Sequence, residues 1–124
     1  MRTLLACTAL LAMLCEPVSA QVKGRVRVLP FLATAYAIDG TTKAGTPTQP
    51  GIVAADTSVL PLGTKIKVTN AGPHSGIYTV TDTGSKVRGR HIDIYLPNWE
   101  RAKEFGRKIV HVTVLRWGSA EAKK

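Results

Sequence analysis

The feature that most constrains this chain is a two-residue rhythm that recurs in short, separated pieces. In "TKIKVT" Ile66 and Val68 alternate with Lys65 and Lys67, and in "RHIDIYL" Ile92, Ile94 and Leu96 alternate with His91, Asp93 and Tyr95. "KIVHVTVLRW" sets Val110, Val112 and Val114 against Ile109, His111, Thr113 and Leu115. Successive side chains of a strand point to opposite faces, so this rhythm predicts strands with one face in a core. "RVRVLPFLATAY", "GIVAAD" and "GIYTV" bring the expected strands to six. Turn chemistry separates them: a long polar loop in "GTTKAGTPTQPG", a turn in "LPLG" and a hairpin-like connection in "NAGPHSG". One stretch departs from the rhythm. "PNWERAKEFG" spaces Trp99, Ala102 and Phe105 as a short helix would, with Asn98 as N-cap, Glu100 at the positive end and Gly106 as the stop. Six short strands and one helix predict a mainly β fold closed into a small barrel, because closure removes the sheet edges that would otherwise need protection.

The first twenty residues do not belong to that barrel. "MRTLLACTALLAMLCEPVSA" has a basic start at Arg2, an apolar run from Leu4 to Leu14 and small residues before Gln21, the pattern of a secretory signal cleaved after Ala20. The run is too short to span a bilayer, so no stable membrane span is expected. Leu14 stands before Cys15 where a lipoprotein signal has a small residue, which argues against a lipid anchor. Cys7 and Cys15 leave with the signal, so the remaining chain has no thiol and must hold itself together with a core. Residues 21–32 are expected to lead into the first strand, residues 33–117 to form the barrel and residues 118–124 to be a flexible basic tail. Arg2 and Glu16 cancel, so the exported chain keeps the net charge of +9. Such an excess suits an anionic partner or a solvated surface. Nucleic acid is not expected outside the cytoplasm, nor are the aromatics interleaved with basic residues as stacking platforms would be.

Elimination narrows the chemistry to carboxylates. His74, His91 and His111 lack metal-site spacing and have no cysteine to assist them, so no metal is expected. There is no Gly-x-Ser-x-Gly elbow for a nucleophilic serine. Four aspartates remain, and three of them, Asp56, Asp82 and Asp93, lie in or at the ends of expected strands, where a small barrel can bring them to one groove; Asp39 lies in a loop. Asp93 stands out, held between core isoleucines and facing the other way with Tyr95, since a carboxylate on a strand is better positioned than one on a loop. A nearby like charge such as Asp82, or burial, would raise its pKa and let it carry a proton near neutrality. The alternative is structural: Asp82 closes the "DTGS" turn through its own backbone, and Asp93 pairs with Arg88 or Arg90. On pattern alone both stay open.

The ordered blocks "ATAY", "GTTKAG", "GIVAADTSVLPLGTKIKV", "TDTGSKVRGRHIDIY" and "AKEFGRKIVHVTVL", running from Ala33 to Leu115, resemble the three-aspartate or 3D domain of bacterial cell-wall proteins. That domain also forms part of the membrane-bound lytic transglycosylase A family. "LPLGTKIKVTN" is similar as well to rare lipoprotein A and the expansin-related barrels, although Asp56 stands where the former usually has histidine. The resemblance implies a six-stranded double-psi β-barrel with one or two short helices. It implies that Asp93, Asp82 and Asp56 are the three aspartates, with Asp93 as the catalytic one. Tyr36, Thr42, Lys86, Arg88, Arg90 and Tyr95 are the expected substrate contacts.

In the transglycosylase relatives the bond cleaved joins N-acetylmuramic acid to N-acetylglucosamine. The muramyl C6 hydroxyl takes the place of water and leaves a 1,6-anhydro end. One carboxyl group suffices, first as acid and then as base, whereas the usual hydrolases need two. The resemblance therefore implies a monomeric, exported protein acting without a cofactor on peptidoglycan, in the periplasm, the cell envelope or the medium. Non-catalytic wall binding is the alternative. The larger transglycosylases carry a second domain as the other wall of the glycan groove, and residues 21–124 are expected to leave no room for one.

Overall fold

A computed structural model describes residues 27–119. The expected signal, both cysteines and the last five residues lie outside the described residues. Six strands follow in chain order: β1 (Val28–Tyr36), β2 (Ile52–Ala55), β3 (Lys65–Thr69), β4 (Gly76–Asp82), β5 (His91–Tyr95) and β6 (Lys108–Arg116). A helix, α1 (Trp99–Phe105), lies between the last two, and a single 3-10 turn, Gly72–His74, joins β3 to β4. The strands close in the order β1-β5-β2-β4-β3-β6. β1 with β5 and β2 with β4 are parallel pairs, and the remaining four contacts are antiparallel. Two parallel pairs interlocked in one closed sheet fit the double-psi barrel that the resemblance implied.

The alternation read from the sequence is what fills the interior. Ile66, Val68, Ile92, Ile94 and Val110 have no exposed surface and Val112 very little, while Lys67, Ile109 and His111 face outward. Each fully buried aliphatic side chain of this kind contributes about 1.5–3 kcal/mol relative to exposure. Helix α1 begins as expected: the Asn98 side chain accepts a hydrogen bond from Arg101 N at 3.0 Å, and Gly106 ends the helix at a φ of 65°. Ala102 and Phe105 are buried, but Trp99 is 66% exposed, so the helix buries less of its apolar spacing than the pattern predicted.

The end of β6 is fixed by a close approach. Gly118 N donates to Thr64 Oγ1 at 2.9 Å, and Thr64 is fully buried. A Cβ on Gly118 would stand 2.0 Å from the carbonyl oxygen of Leu62, which is backbone and has little room to move. Gly118→Ala should displace this segment and leave the Thr64 hydroxyl without its partner, at about 1–3 kcal/mol. A urea midpoint that stays at the wild-type value would contradict that account.

Candidate active site

The barrel brings the "TDTGSKVRGRHIDIY" carboxylates to one face through strand register. Thr34 of β1 is the partner of Asp93 on β5, Ala54 of β2 is the partner of Asp93 on its other side, and Ala54 is also the partner of Asp82 on β4. Residues directly paired across strands point to the same side of a sheet. Thr34, Asp93 and Ala54 therefore share an outward-facing rung, and a bulge where the β2–β4 register shifts between Val53 and Ala54 sets Asp82 at its end. The step between strands is about 4.8 Å, so the two aspartate Cα atoms are roughly 10 Å apart, with Ala54 of β2 between them. Along the same face the next pair is Tyr36 with Tyr95, whose rings meet edge to face at 5.5 Å.

Asp93 is partly buried and accepts a hydrogen bond from Thr34 Oγ1 at 2.8 Å. Its partner is thus a neutral hydroxyl, not Arg88 or Arg90, both of which are exposed. Burial pushes the Asp93 carboxyl above the usual carboxylate range, against smaller lowering effects from the Thr34 hydrogen bond and the His91 ring. Of the two causes considered from sequence, burial is the one that acts, because Asp82 lies two strands away.

Asp82 ends β4 and binds backbone. Its Oδ1 accepts from Thr83 N at 2.9 Å and from Lys43 N at 3.0 Å. The first contact is the turn closure considered from sequence; the second is not local. It ties the loop 37–50 to the rung, assisted by Ala44 N to Thr81 O at 2.9 Å. That loop is also folded on itself. The Thr42 hydroxyl is buried and donates to Thr46 O at 2.8 Å, so Thr42 shapes the loop from inside.

Asp56 does a different job. Its Oδ1 accepts from Ser58 N at 3.0 Å and Ser58 Oγ at 2.7 Å, and its Oδ2 accepts from Gly89 N at 2.8 Å. These donors, the Gly89 amide foremost, lower its pKa to about 2. Gly89 has a φ of 68°, a conformation that glycine adopts without strain. Asp56 thus pins the loop between β4 and β5, which carries Lys86, Arg88 and Arg90 as exposed side chains. A depressed carboxylate stabilises the fold above its unfolded value and loses that contribution as pH falls through its folded value. Asp56→Asn leaves one acceptor oxygen where two serve Ser58 and Gly89, and should lower the urea midpoint at neutral pH. The deficit should shrink on acidification from about 3.8 toward about 2; a deficit independent of pH would rule out the carboxylate as its source.

Tyr36 and Tyr95 cover the end of the rung. Burial, followed by the Asp82 and Asp93 charges, pushes the Tyr36 hydroxyl to about 12, and this buried hydroxyl has no hydrogen-bond partner among the described residues. The Tyr95 ring is buried and its hydroxyl donates to Asp39 Oδ1, which raises its pKa. Thr34, Ala54, His91 and Asp39 were not singled out from sequence. Thr34 shares the outward face of Tyr36 in "ATAY", but only the parallel register of β1 on β5 reveals that it meets Asp93. Among the described residues no three His, Cys, Asp or Glu side chains form a group able to hold a metal ion. Hollows elsewhere, one beside His74 and Phe105 and another beneath Trp117, do not include Asp93.

A closed six-stranded barrel with two parallel pairs and an acidic outer rung defines a class of double-psi-type proteins. Within it, the 3D domain family profile matches residues 51–116, more than half of the chain, and the chain belongs to that family. It is 34% identical over 96 residues to the cell wall-binding protein YocH of Bacillus subtilis, covering 70% of this chain and 32% of YocH. It thus spans about a third of that relative. The structure is similar to MltA from E. coli with bound chitohexaose, with a TM-score of 0.54, 20% identity, 66% of this chain and 29% of MltA. It is also similar to an expansin of Clavibacter michiganensis, with a TM-score of 0.54, 19% identity, 75% of this chain and 52% of the expansin. At these identities the two structures establish the fold.

Proposed function

We propose that this is an exported protein of the cell envelope or its surroundings that acts on peptidoglycan, cleaving glycan strands as a lytic transglycosylase does. The observation that carries the reading is Asp93: rigidly held mid-strand, partly buried, with its pKa raised by burial, on the same face as Asp82 and Tyr36. Such a carboxyl keeps a proton at higher pH than an exposed one. The protonated Asp93 donates to the glycosidic oxygen as the bond between muramyl C1 and that oxygen breaks. The resulting carboxylate then accepts the proton of the C6 hydroxyl as its oxygen bonds to C1, which closes the 1,6-anhydro ring and returns Asp93 to its starting state. Asp82 holds the loop 37–50 beside the reacting carboxyl, and Tyr36 packs on the same face against Tyr95. Lys86, Arg88 and Arg90 offer cations to stem-peptide carboxylates at one edge.

The test is product chemistry. Purified protein incubated with peptidoglycan should release muropeptides with 1,6-anhydro ends; reducing ends would indicate hydrolysis. A second reading, binding without cleavage, is supported by the likeness to a relative described as cell wall-binding. Co-sedimentation with wall material and no soluble product, from wild type and Asp93→Asn alike, would establish that reading and end the first.

A further inference from the structure

Asp93 is the end of a three-residue chain. Thr34 Oγ1 lies 2.8 Å from Asp93 Oδ1 and 2.8 Å from His91 Nε2. His91 and Asp93 share the outward face of β5, two residues apart, and Thr34 stands opposite them on β1, so the strand pairing holds all three side chains in place. A threonine hydroxyl has one proton to give and two lone pairs to receive with. When Asp93 is ionised, Thr34 gives its proton to the carboxylate, and the second contact is satisfied only if His91 Nε2 carries a hydrogen and donates to Thr34. When Asp93 is protonated on Oδ1, the carboxyl donates to Thr34, whose own proton turns to His91. The ring must then present Nε2 as a bare acceptor, with its hydrogen on Nδ1.

We infer that His91 is a positioning residue for Asp93, acting through the Thr34 hydroxyl, and that the hydrogen-bond direction along His91–Thr34–Asp93 reverses with the location of the carboxyl proton. A doubly protonated, cationic His91 has no bare Nε2 and favours the ionised carboxylate. A neutral His91 can take the tautomer that matches a protonated one. The chain thus ties the readiness of Asp93 to the protonation and tautomer of His91. The other titratable or charged groups around it are Tyr95 on β5, Tyr36 on β1, Asp82 at the end of β4, Asp56 just past β2 and Arg90 before β5. None of them is a hydrogen-bonded member of the chain.

The chain does not require that glycan be cleaved; only its consequence for turnover rests on the proposed function. The full chain, labelled with 15N and 13C, is titrated by NMR while the His91 ring nitrogens and Asp93 Cγ are followed. In wild type the His91 Nε2 resonance should show a second inflection at the Asp93 midpoint. Asp93→Asn and Thr34→Val should each remove it, and Thr34→Ser should restore it. The Asp93 midpoint should move up in His91→Gln, which keeps a hydrogen-bonding amide but no charge. A single His91 inflection indifferent to Asp93→Asn and Thr34→Val, with an unmoved Asp93 midpoint in His91→Gln, overturns the inference whether or not the protein cleaves glycan. Coupled titrations without any anhydro product uphold the chain while ending the transglycosylase reading. Where product does form, the alkaline limb of the cleavage profile should move to higher pH in His91→Gln, and a limb that stays in place counts against the inference.

Discussion

Asp93→Asn is expected to abolish release of anhydro-muropeptides and at the same time to raise the melting temperature at neutral pH. The first effect follows, on the proposed mechanism, from removing the group that would move a proton twice. General acid–base catalysis is typically worth about 10²–10⁴ in rate, and an amide at this position can neither give the first proton nor take the second. The second effect follows from the cause of the pKa shift. Asp93 is raised because burial penalises its charge, so the ionised residue destabilises the folded state. The sign is fixed by linkage: a carboxyl that holds its proton more tightly when folded contributes most at low pH, and wild type loses stability as pH rises from the unfolded value, about 3.9, through the raised folded one. Asparagine carries no such charge, and its Oδ1 can still accept from Thr34. The stability gap between variant and wild type should be closed well below pH 3.9 and open above the folded value. Thermal melts across that range measure it. A variant that loses both activity and stability would mean that Asp93 holds the barrel together, as its structural alternative required.

Much of this arrangement was legible in the sequence, and the remainder was not for identifiable reasons. The alternation in "RHIDIY" is local, so it could place Ile92 and Ile94 inside and Asp93 outside, as they are found. The cap at Asn98 and the stop at Gly106 are likewise properties of adjacent residues. Which strand lies beside which is not local. β1 and β5 are more than fifty residues apart, and nothing in "ATAY" announces that Thr34 faces Asp93 and not open water. For the same reason the sequence left two causes open for a raised pKa, Asp82 or burial, and only the strand order, with β2 between β4 and β5, separates them. The sequence already set Asp93 apart by its place between two core isoleucines, but it could not tell how Asp56 and Asp82 are bound. Their hydrogen bonds separate them: Asp56 is saturated by Ser58 and Gly89, Asp82 binds two backbone amides, and Asp93 has a single donor. A carboxylate with all its donors in place is stabilised as an anion and is poorly suited to carry a proton. One with few donors and partial burial is suited to it.

Ala54→Val should show whether the space between Asp82 and Asp93 is where the glycan lies. Ala54 pairs with both aspartates and is 6% exposed, so its methyl is the floor between them. Valine suits a strand by propensity, which keeps β2 paired. Its extra methyl groups would enter the trough from below at about 1–3 kcal/mol of overpacking. A substrate pushed away by even about 1 Å can lose roughly 10²-fold in rate, so cleavage should fall by about that factor although both carboxylates remain. Ala54→Gly is the control. It keeps the trough open, costs about 0.5–1 kcal/mol of strand stability and should keep cleavage near the wild-type rate. The two variants thus separate loss of space from loss of stability, since both are destabilised and only valine fills the gap. If Ala54→Val cleaves as wild type does while Asp93→Asn is inactive, the sugar approaches Asp93 from the Thr34 side instead. The loop 37–50, held to the rung by Asp82, would then not be part of the groove wall. Wall-binding measurements on the same variants extend the argument to the non-catalytic reading, because a strand that only binds across the rung must also cross Ala54.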